Sequence, residues 1–195
     1  MASIRLDPQT LLAAYGQGVF PMADREGEIR WYSADPRGIL PLEKFHMPRS
    51  LAQVVRQGKF EVRFNQDFES TMRACMENRS DGTWINETLV RAYVQLHKIG
   101  HAHSVECYRK GELAGGLYGV SLGAAFFGES MFHRLRDASK VALAYLVGRL
   151  RERNFLLLDT QAVTPHLRRF GCVEISASEY MGRLRGALGS EARFD

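Results

Sequence analysis

The chain has 195 residues, 45% apolar and 25% charged, a balance suited to one compact domain or a domain with a small appendage. No run of about 18 apolar residues occurs, and Met1-Ala2-Ser3-Ile4-Arg5 lacks an apolar signal core, so secretion and membrane insertion are not expected and the cytoplasm is the expected location. Cys75, Cys107 and Cys172 are widely spaced with no CxxC pair, which argues against a disulfide framework and a zinc site. The net charge of +4 is modest, but Arg134, Arg136, Lys140, Arg149, Arg151, Arg153, Arg168, Arg169, Arg183 and Arg185 crowd the last third. Such crowding reads either as basic helix faces in water or as a phosphate-binding surface.

Asp7-Pro8 before Leu11, Leu12 and Tyr15 predicts a capped helix with proline at its first position, closed by Gly16 or Gly18. Phe20-Pro21 to Pro41 reads as loop-rich. A helix near Arg49 to Arg56, a strand at Phe60 to Phe64 and a helix from about Asp67 to Glu77 follow. Residues 1–65 are expected to form a small N-terminal domain and residues 66–195 the larger domain. From Asn86, apolar residues Leu89, Val90, Tyr93 and Leu96 recur at helical spacing up to Gly100. Ala102 to Arg109 and Leu113 to Val120 then read as strands joined by Lys110-Gly111, with a third strand from about Ala124 to Phe132.

Asp137 is expected to cap a helix whose buried stripe is Leu143, Leu146, Val147 and Leu150. Phe155 to Asp159 is almost wholly apolar, as in a central strand covered on both faces. Thr164-Pro165 opens a short helix that stops at Gly171, Cys172 to Ile175 is a strand, and Ser176-x-x-Glu179 is a capping box for the last helix. The order of elements resembles an α+β fold of the acyl-CoA N-acyltransferase type, a mixed sheet flanked by helices that splays open mid-sheet to admit an acyl donor.

Gly115, Gly116, Gly119 and Gly128 lie within strands, where glycine signals either a bulge or the close approach of backbone to a ligand. Glu129, between Phe126-Phe127 and Met131-Phe132, sends a carboxylate into an apolar region. It predicts either a salt bridge to an arginine or recognition of a cationic substrate. His101 and His103 fall on one face of a strand, but Cys107 adds no zinc spacing, and no metal is expected.

Together His101-Ala102-His103-Ser104-Val105-Glu106, Gly115-Gly116-Leu117-Tyr118-Gly119-Val120, Gly128-Glu129-Ser130-Met131-Phe132, Ala138-Ser139-Lys140 and Leu158-Asp159-Thr160-Gln161 resemble the leucyl/phenylalanyl-tRNA–protein transferase family. Tyr15-x-x-Gly18-x-Phe20-Pro21, Trp31-x-Ser33-x-Asp35-Pro36-Arg37 and Thr83-Trp84-Ile85 agree with it. The resemblance implies transfer of leucine or phenylalanine, and weakly methionine, from aminoacyl-tRNA to the N-terminal α-amino group of proteins beginning with arginine or lysine. The product carries an N-terminal degradation signal. No cofactor is implied.

For the site, the resemblance puts Asp159 and Gln161 at the reacting centre, Gln161 aligning the amine and Asp159 polarising it or relaying its proton. It makes Glu129 a contact for the cationic acceptor, and Tyr15, Trp84 and Tyr93 the aromatics that stack on the 3′-adenosine or hold the peptide. The side-chain pocket is expected from Leu117, Phe126, Phe127 and Met131, with Thr164 nearby. Arg134, Arg136, Lys140, Arg149 and Arg153 are the expected tRNA contacts. Met22, His133 and Thr164 depart from residues common in the family, and longer members carry an N-terminal extension where only ten residues here precede Leu11. Two rival readings are an acetyl-CoA-dependent N-acetyltransferase and a non-catalytic tRNA-binding module. The first wants a glycine-rich loop before a helix, and His133 to Lys140 contains no glycine.

Overall fold

The computed structural model describes residues 6–77 and 82–195, and the Met1–Arg5 stretch considered as a leader lies outside them. Helix α1 (Pro8–Gly16) is opened by Asp7, whose carboxylate accepts the Thr10 N–H at 2.8 Å. The stretch expected to be loop-rich contains three short strands. Strands β1 (Phe20–Ala23) and β2 (Ile29–Tyr32) form a two-stranded hairpin, and β3 (Arg37–Ile39) joins the main sheet. At three or four residues each they show no readable alternation, and β3 draws its order from partners far along the chain.

A 3-10 turn (Leu42–Lys44) leads to α2 (Arg49–Arg56), β4 (Glu61–Phe64), α3 (Phe68–Ala74) and α4 (Glu87–Lys98). Asn86 caps α4 by accepting the Leu89 N–H at 3.0 Å. Strands β5 (Ala102–Arg109), β6 (Glu112–Leu122) and β7 (Ala125–His133) make the expected meander. Lys110 and Gly111 take φ values of 54° and 81°, the left-handed pair that a tight hairpin needs. After α5 (Ala138–Glu152) come β8 (Leu157–Gln161), α6 (Pro165–Arg168), β9 (Val173–Ile175) and α7 (Ala177–Leu188). Asp137 precedes α5 but does not cap it with its side chain. It adopts φ 72°, which turns its carboxylate onto Lys140 Nζ at 2.7 Å.

The seven-stranded sheet runs β4-β5-β6-β7-β8-β3-β9. Only the β7–β8 pair is parallel, so the sheet is mixed, with helices on both faces, the α+β architecture expected. Strands β3 and β4 come from residues 1–65 yet belong to this sheet. The core is split in two clusters. Tyr15, Met72, Leu89, Tyr93 and Phe127 belong to one, and Phe126, Leu143, Leu146, Val147 and Leu150 to the other. Each buried leucine contributes about 1.5–3 kcal/mol, which is what holds α5 against the sheet.

One irregularity positions the site. Strand β7 spans nine residues, but only Ala125, Phe126 and Phe127 pair with β8, opposite Leu157, Leu158 and Asp159. Beyond them the strands part. On the other side of β7 the register with β6 shifts between Tyr118 and Gly119, and a Cβ on Gly119 would sit 2.3 Å from the Phe127 carbonyl oxygen. Gly115 and Gly116 are likewise crowded by the protein's own atoms, so close packing explains these three glycines. Gly128 alone of the four borders the opening.

Candidate active site

Where β7 and β8 separate, a cleft of about 370 Å³ opens. Its apolar part is built from Leu117, Met131, Leu143, Leu146, Leu158 and Leu167. Glu129 and Gln161 supply polar groups, and Trp84 and Thr164 also line it. Both Glu129 and Met131 come from β7, where the register shift against β6 leaves Glu129 as an extra residue between Gly128 and Ser130 and breaks the alternation. Glu129 therefore turns toward Tyr15 and Tyr93, while Met131 packs on the other side and forms part of the greasy wall.

Glu129 is half-buried. Its Oε1 accepts the Tyr15 hydroxyl at 2.7 Å and Gln161 Nε2 at 3.2 Å, while Oε2 faces the Tyr93 hydroxyl at 3.4 Å. The Tyr15 and Tyr93 hydroxyls are also hydrogen-bonded to each other. Among the described residues Glu129 makes no ion pair with arginine, so the salt-bridge alternative does not hold. Desolvation, helped by the nearby Asp159 charge, pushes its carboxyl up to about 7. The Tyr15 and Gln161 hydrogen bonds and the Arg37 charge oppose that rise. Both tyrosines are held above their ordinary value, by burial first and then by the Glu129 charge.

Asp159 has no exposed surface and does not border the cleft. Its Oδ1 takes Arg37 Nε at 3.0 Å and the Gln161 backbone N–H at 2.8 Å, and its Oδ2 takes Arg37 Nη2 at 2.6 Å and the Tyr180 hydroxyl at 2.7 Å. All of its acceptor capacity is turned inward. Gln161, at φ 62°, is bent out of β8 toward the cleft.

The structure therefore gathers Glu129, Gln161, Trp84, Thr164, Leu117 and Met131 at one opening. It places Tyr15 and Tyr93, 1% and 0% exposed, behind Glu129, where their rings are covered by the core and cannot stack on a base. Phe126 and Phe127 are both fully buried and face opposite clusters, because neighbours on a strand point to opposite sides. Leu143, Leu146, Leu158 and Leu167 take their place in the wall. The helical period marks Leu143 and Leu146 as core, which is half of their role. Thr164 also caps α6, its hydroxyl accepting the Leu167 N–H at 3.2 Å.

Next to the cleft, and sharing Met131 and His166 with it, lies a second cavity of about 550 Å³ lined by His133, Arg134, Arg136 and Lys140. Burial lowers the His166 pKa first, and the charges of Lys140, Arg169 and His133 lower it further. Arg149 and Arg153 are not in this group. Arg149 lies in the last turns of α5 and Arg153 caps it, about 14 and 20 Å of helix from Lys140, and the Arg149 guanidinium lies 4.3 Å over the Phe64 ring. Arg37 ends one of the family-like motifs, but no local pattern ties it or Tyr180 to the site, since the partner that joins them, Asp159, lies 122 and 21 positions away. Among the described residues no group of three or more His, Cys, Asp or Glu is arranged to hold a metal. His101 Nδ1 contacts the Ser121 carbonyl at 2.9 Å, and His103, its pKa pushed down to about 4 by burial, contacts the Ser121 hydroxyl at 3.0 Å. The three cysteines are buried and not disulfide-bonded.

Sheet, splay and cleft together frame a candidate active site. The sequence matches the description leucyl/phenylalanyl-tRNA protein transferase over residues 39–185, and that of the N-terminal domain of the same transferase over residues 5–35. A protein named leucyl/phenylalanyl-tRNA–protein transferase from Paramagnetospirillum magneticum is 55% identical, over 97% of this chain and 93% of the relative. Another of that name from Rubrobacter xylanophilus is 53% identical, over 98% and 100%. Among solved structures, L-PGS from Bacillus licheniformis aligns with a TM-score of 0.49 at 11% identity, over 89% of this chain and 73% of that one. The chain belongs to the leucyl/phenylalanyl-tRNA–protein transferase family and is by that membership an aminoacyltransferase.

Proposed function

We propose that this protein moves leucine or phenylalanine, and methionine less well, from the 3′ end of aminoacyl-tRNA to the α-amino group of proteins that begin with arginine or lysine. The reaction takes place in the cytoplasm, and the product carries a degradation signal. The observation that carries the reading is the Glu129–Gln161 pair at the mouth of an apolar cleft with ample room for such a side chain. An aminoacyl ester is already activated, so the site has to desolvate the amine, orient it and receive its proton.

The parts divide that work. Leucines 117, 143, 146 and 158 with Met131 take the side chain of the donor, a pocket that sorts by size and shape. Because Gln161 gives its Nε2 hydrogen to Glu129, its Oε1 is the end left to accept a hydrogen from the incoming amine. The Glu129 carboxylate, poised near neutrality, draws the cationic acceptor terminus and takes up the proton that leaves as the C–N bond forms. The ester C–O bond then breaks and the tRNA ribose oxygen leaves with that proton, which restores the Glu129 carboxylate. Trp84 is the aromatic left at the rim for the terminal adenine, and the cavity lined by Arg134, Arg136 and Lys140 meets the adjoining phosphates.

The test mixes the protein with radiolabelled leucyl- or phenylalanyl-tRNA and a peptide beginning with arginine. Label is expected in that peptide and not in one beginning with glutamate. Label in neither, together with micromolar affinity for coenzyme A by calorimetry, would transfer the case to the acetyltransferase rival.

A further inference from the structure

Arg37 is 1% exposed, with its charge deep inside the protein. A buried ion pair is often no more stabilising than apolar residues of the same volume, so its presence asks for a reason beyond stability. The contacts of Arg37 supply one. Its Nε and Nη2 grip the two carboxylate oxygens of Asp159 at 3.0 and 2.6 Å. Nη1 donates to the Gly18 carbonyl at 2.9 Å, just past the helix that carries Tyr15. The guanidinium lies 5.0 Å from the Phe20 ring and 4.5 Å from the Tyr180 ring, and the Tyr180 hydroxyl donates to the same Asp159.

What this clamp holds is Gln161. At φ 62° Gln161 sits in the left-handed region that a residue with a Cβ enters only when its surroundings hold it there. The Asp159 carboxylate receives its N–H at 2.8 Å, and the Ala162 N–H closes back on the Thr160 carbonyl at 2.6 Å. Gly38, next to Arg37, lies so close to this turn that a Cβ there would be 2.6 Å from the Ala162 carbonyl carbon. The three-residue strand β3 thus grips the turn through one side chain and one bare backbone.

We propose that Arg37 is a positioning residue for aminoacyl transfer: acting through Asp159, and with Tyr180 as the third member, it fixes the turn that aims the Gln161 amide at Glu129. This rests on the transfer reaction proposed above. A lysine at position 37 keeps the charge but not the two parallel N–H donors, and a phenylalanine at 180 removes one hydroxyl while keeping the ring.

The experiment measures steady-state transfer by Arg37→Lys, Tyr180→Phe, Gln161→Ala and the double variant Arg37→Lys/Gln161→Ala. Expected is a fall in kcat of about 10- to 100-fold for Arg37→Lys and about 3- to 10-fold for Tyr180→Phe, with KM for both substrates within about threefold, since small misplacements act on the reacting geometry. In the Gln161→Ala background, Arg37→Lys should cost less than about twofold more. A full, additive loss there, or wild-type kcat in Tyr180→Phe, overturns the inference while leaving the transfer reaction standing. Amide hydrogen exchange at Gln161 needs no substrate and should quicken at least about tenfold in Tyr180→Phe, with α4 amides unchanged. If the wild type transfers nothing, the reaction falls and this exchange measurement decides the positioning role alone: unchanged Gln161 exchange refutes it, as does a loss of Arg37→Lys folding with no local change in Tyr180→Phe.

Discussion

Gln161 Nε2 reaches Glu129 Oε1 at 3.2 Å across the opening between β7 and β8, joining two strands that no longer share backbone hydrogen bonds at that level. Neither residue alone provides both an aligned acceptor and a charge. Replacing Glu129 by Gln, or Gln161 by Ala, is therefore expected to lower kcat/KM by about 10²–10³-fold, the range seen when a group that acts in the transition state is removed. Single-turnover transfer from preloaded leucyl-tRNA measures it. Transfer within threefold of wild type in both variants would remove the pair from the chemistry.

The raised Glu129 carboxyl has a consequence for stability. The fold favours its protonated form, so the native state binds more protons than the unfolded chain between the ordinary glutamate value of 4.5 and about 7. Stability from this group is greatest below that window and declines as pH rises through it, by up to about 3 kcal/mol. His103, lowered to about 4, tilts stability the other way over a similar range. Glu129→Gln should thus gain stability relative to wild type on going from pH 5 to pH 7.5, read from urea midpoints. An equal gap between the two proteins at both pH values would contradict the shift.

Met131, like Leu167, is a wall residue only part-buried at the cleft, and it comes from the same strand as Glu129. Shortening it to Ala widens the pocket. The ratio of kcat/KM for phenylalanyl- over leucyl-tRNA is expected to rise by about 10-fold or more, in line with about 1–3 kcal/mol per methylene in an apolar pocket. A ratio that stays put would place the donor side chain elsewhere.

The basic residues divide by location. Arg136→Ala and Lys140→Ala, in the cavity beside the cleft, should weaken tRNA binding and reduce the salt slope by about one for each phosphate left without its cation. Arg149→Ala, whose guanidinium rests on Phe64, should leave that slope alone and cost about 0.5–1 kcal/mol of stability. Filter binding across a salt series, with thermal melting alongside, separates the two effects.

Much of the frame is readable in the sequence because it is local. The Asn86 cap followed by Leu89, Val90, Tyr93 and Leu96, and the Lys110-Gly111 turn, each announce their element within a dozen residues. The hairpin from Phe20 to Tyr32 and strand β3 are not, since four-residue strands carry too little pattern and β3 finds its partners at Asp159–Gln161 and Val173–Ile175. The site divides along the same line. Glu129 and Gln161 stand out as polar residues in apolar strands. Phe126 and Phe127 mislead because adjacency in sequence places them on opposite faces, and Tyr15 and Tyr93 look like binding aromatics until their hydroxyls are seen to end on Glu129. Arg37 could not be paired with Asp159 by any local rule, 122 positions apart as they are.

The placing of β3 between β8 and β9 bears on how the chain is made. A growing polypeptide exposes residues 37–39 early, yet both neighbours of that strand are synthesised more than 110 residues later. Until then the nascent chain carries an arginine destined for the interior with no counter-ion to meet it. Strand β3 can take its place only once both later strands exist, so this part of the sheet is closed by contacts of long sequence separation, the kind whose loop entropy must be met before they stabilise anything.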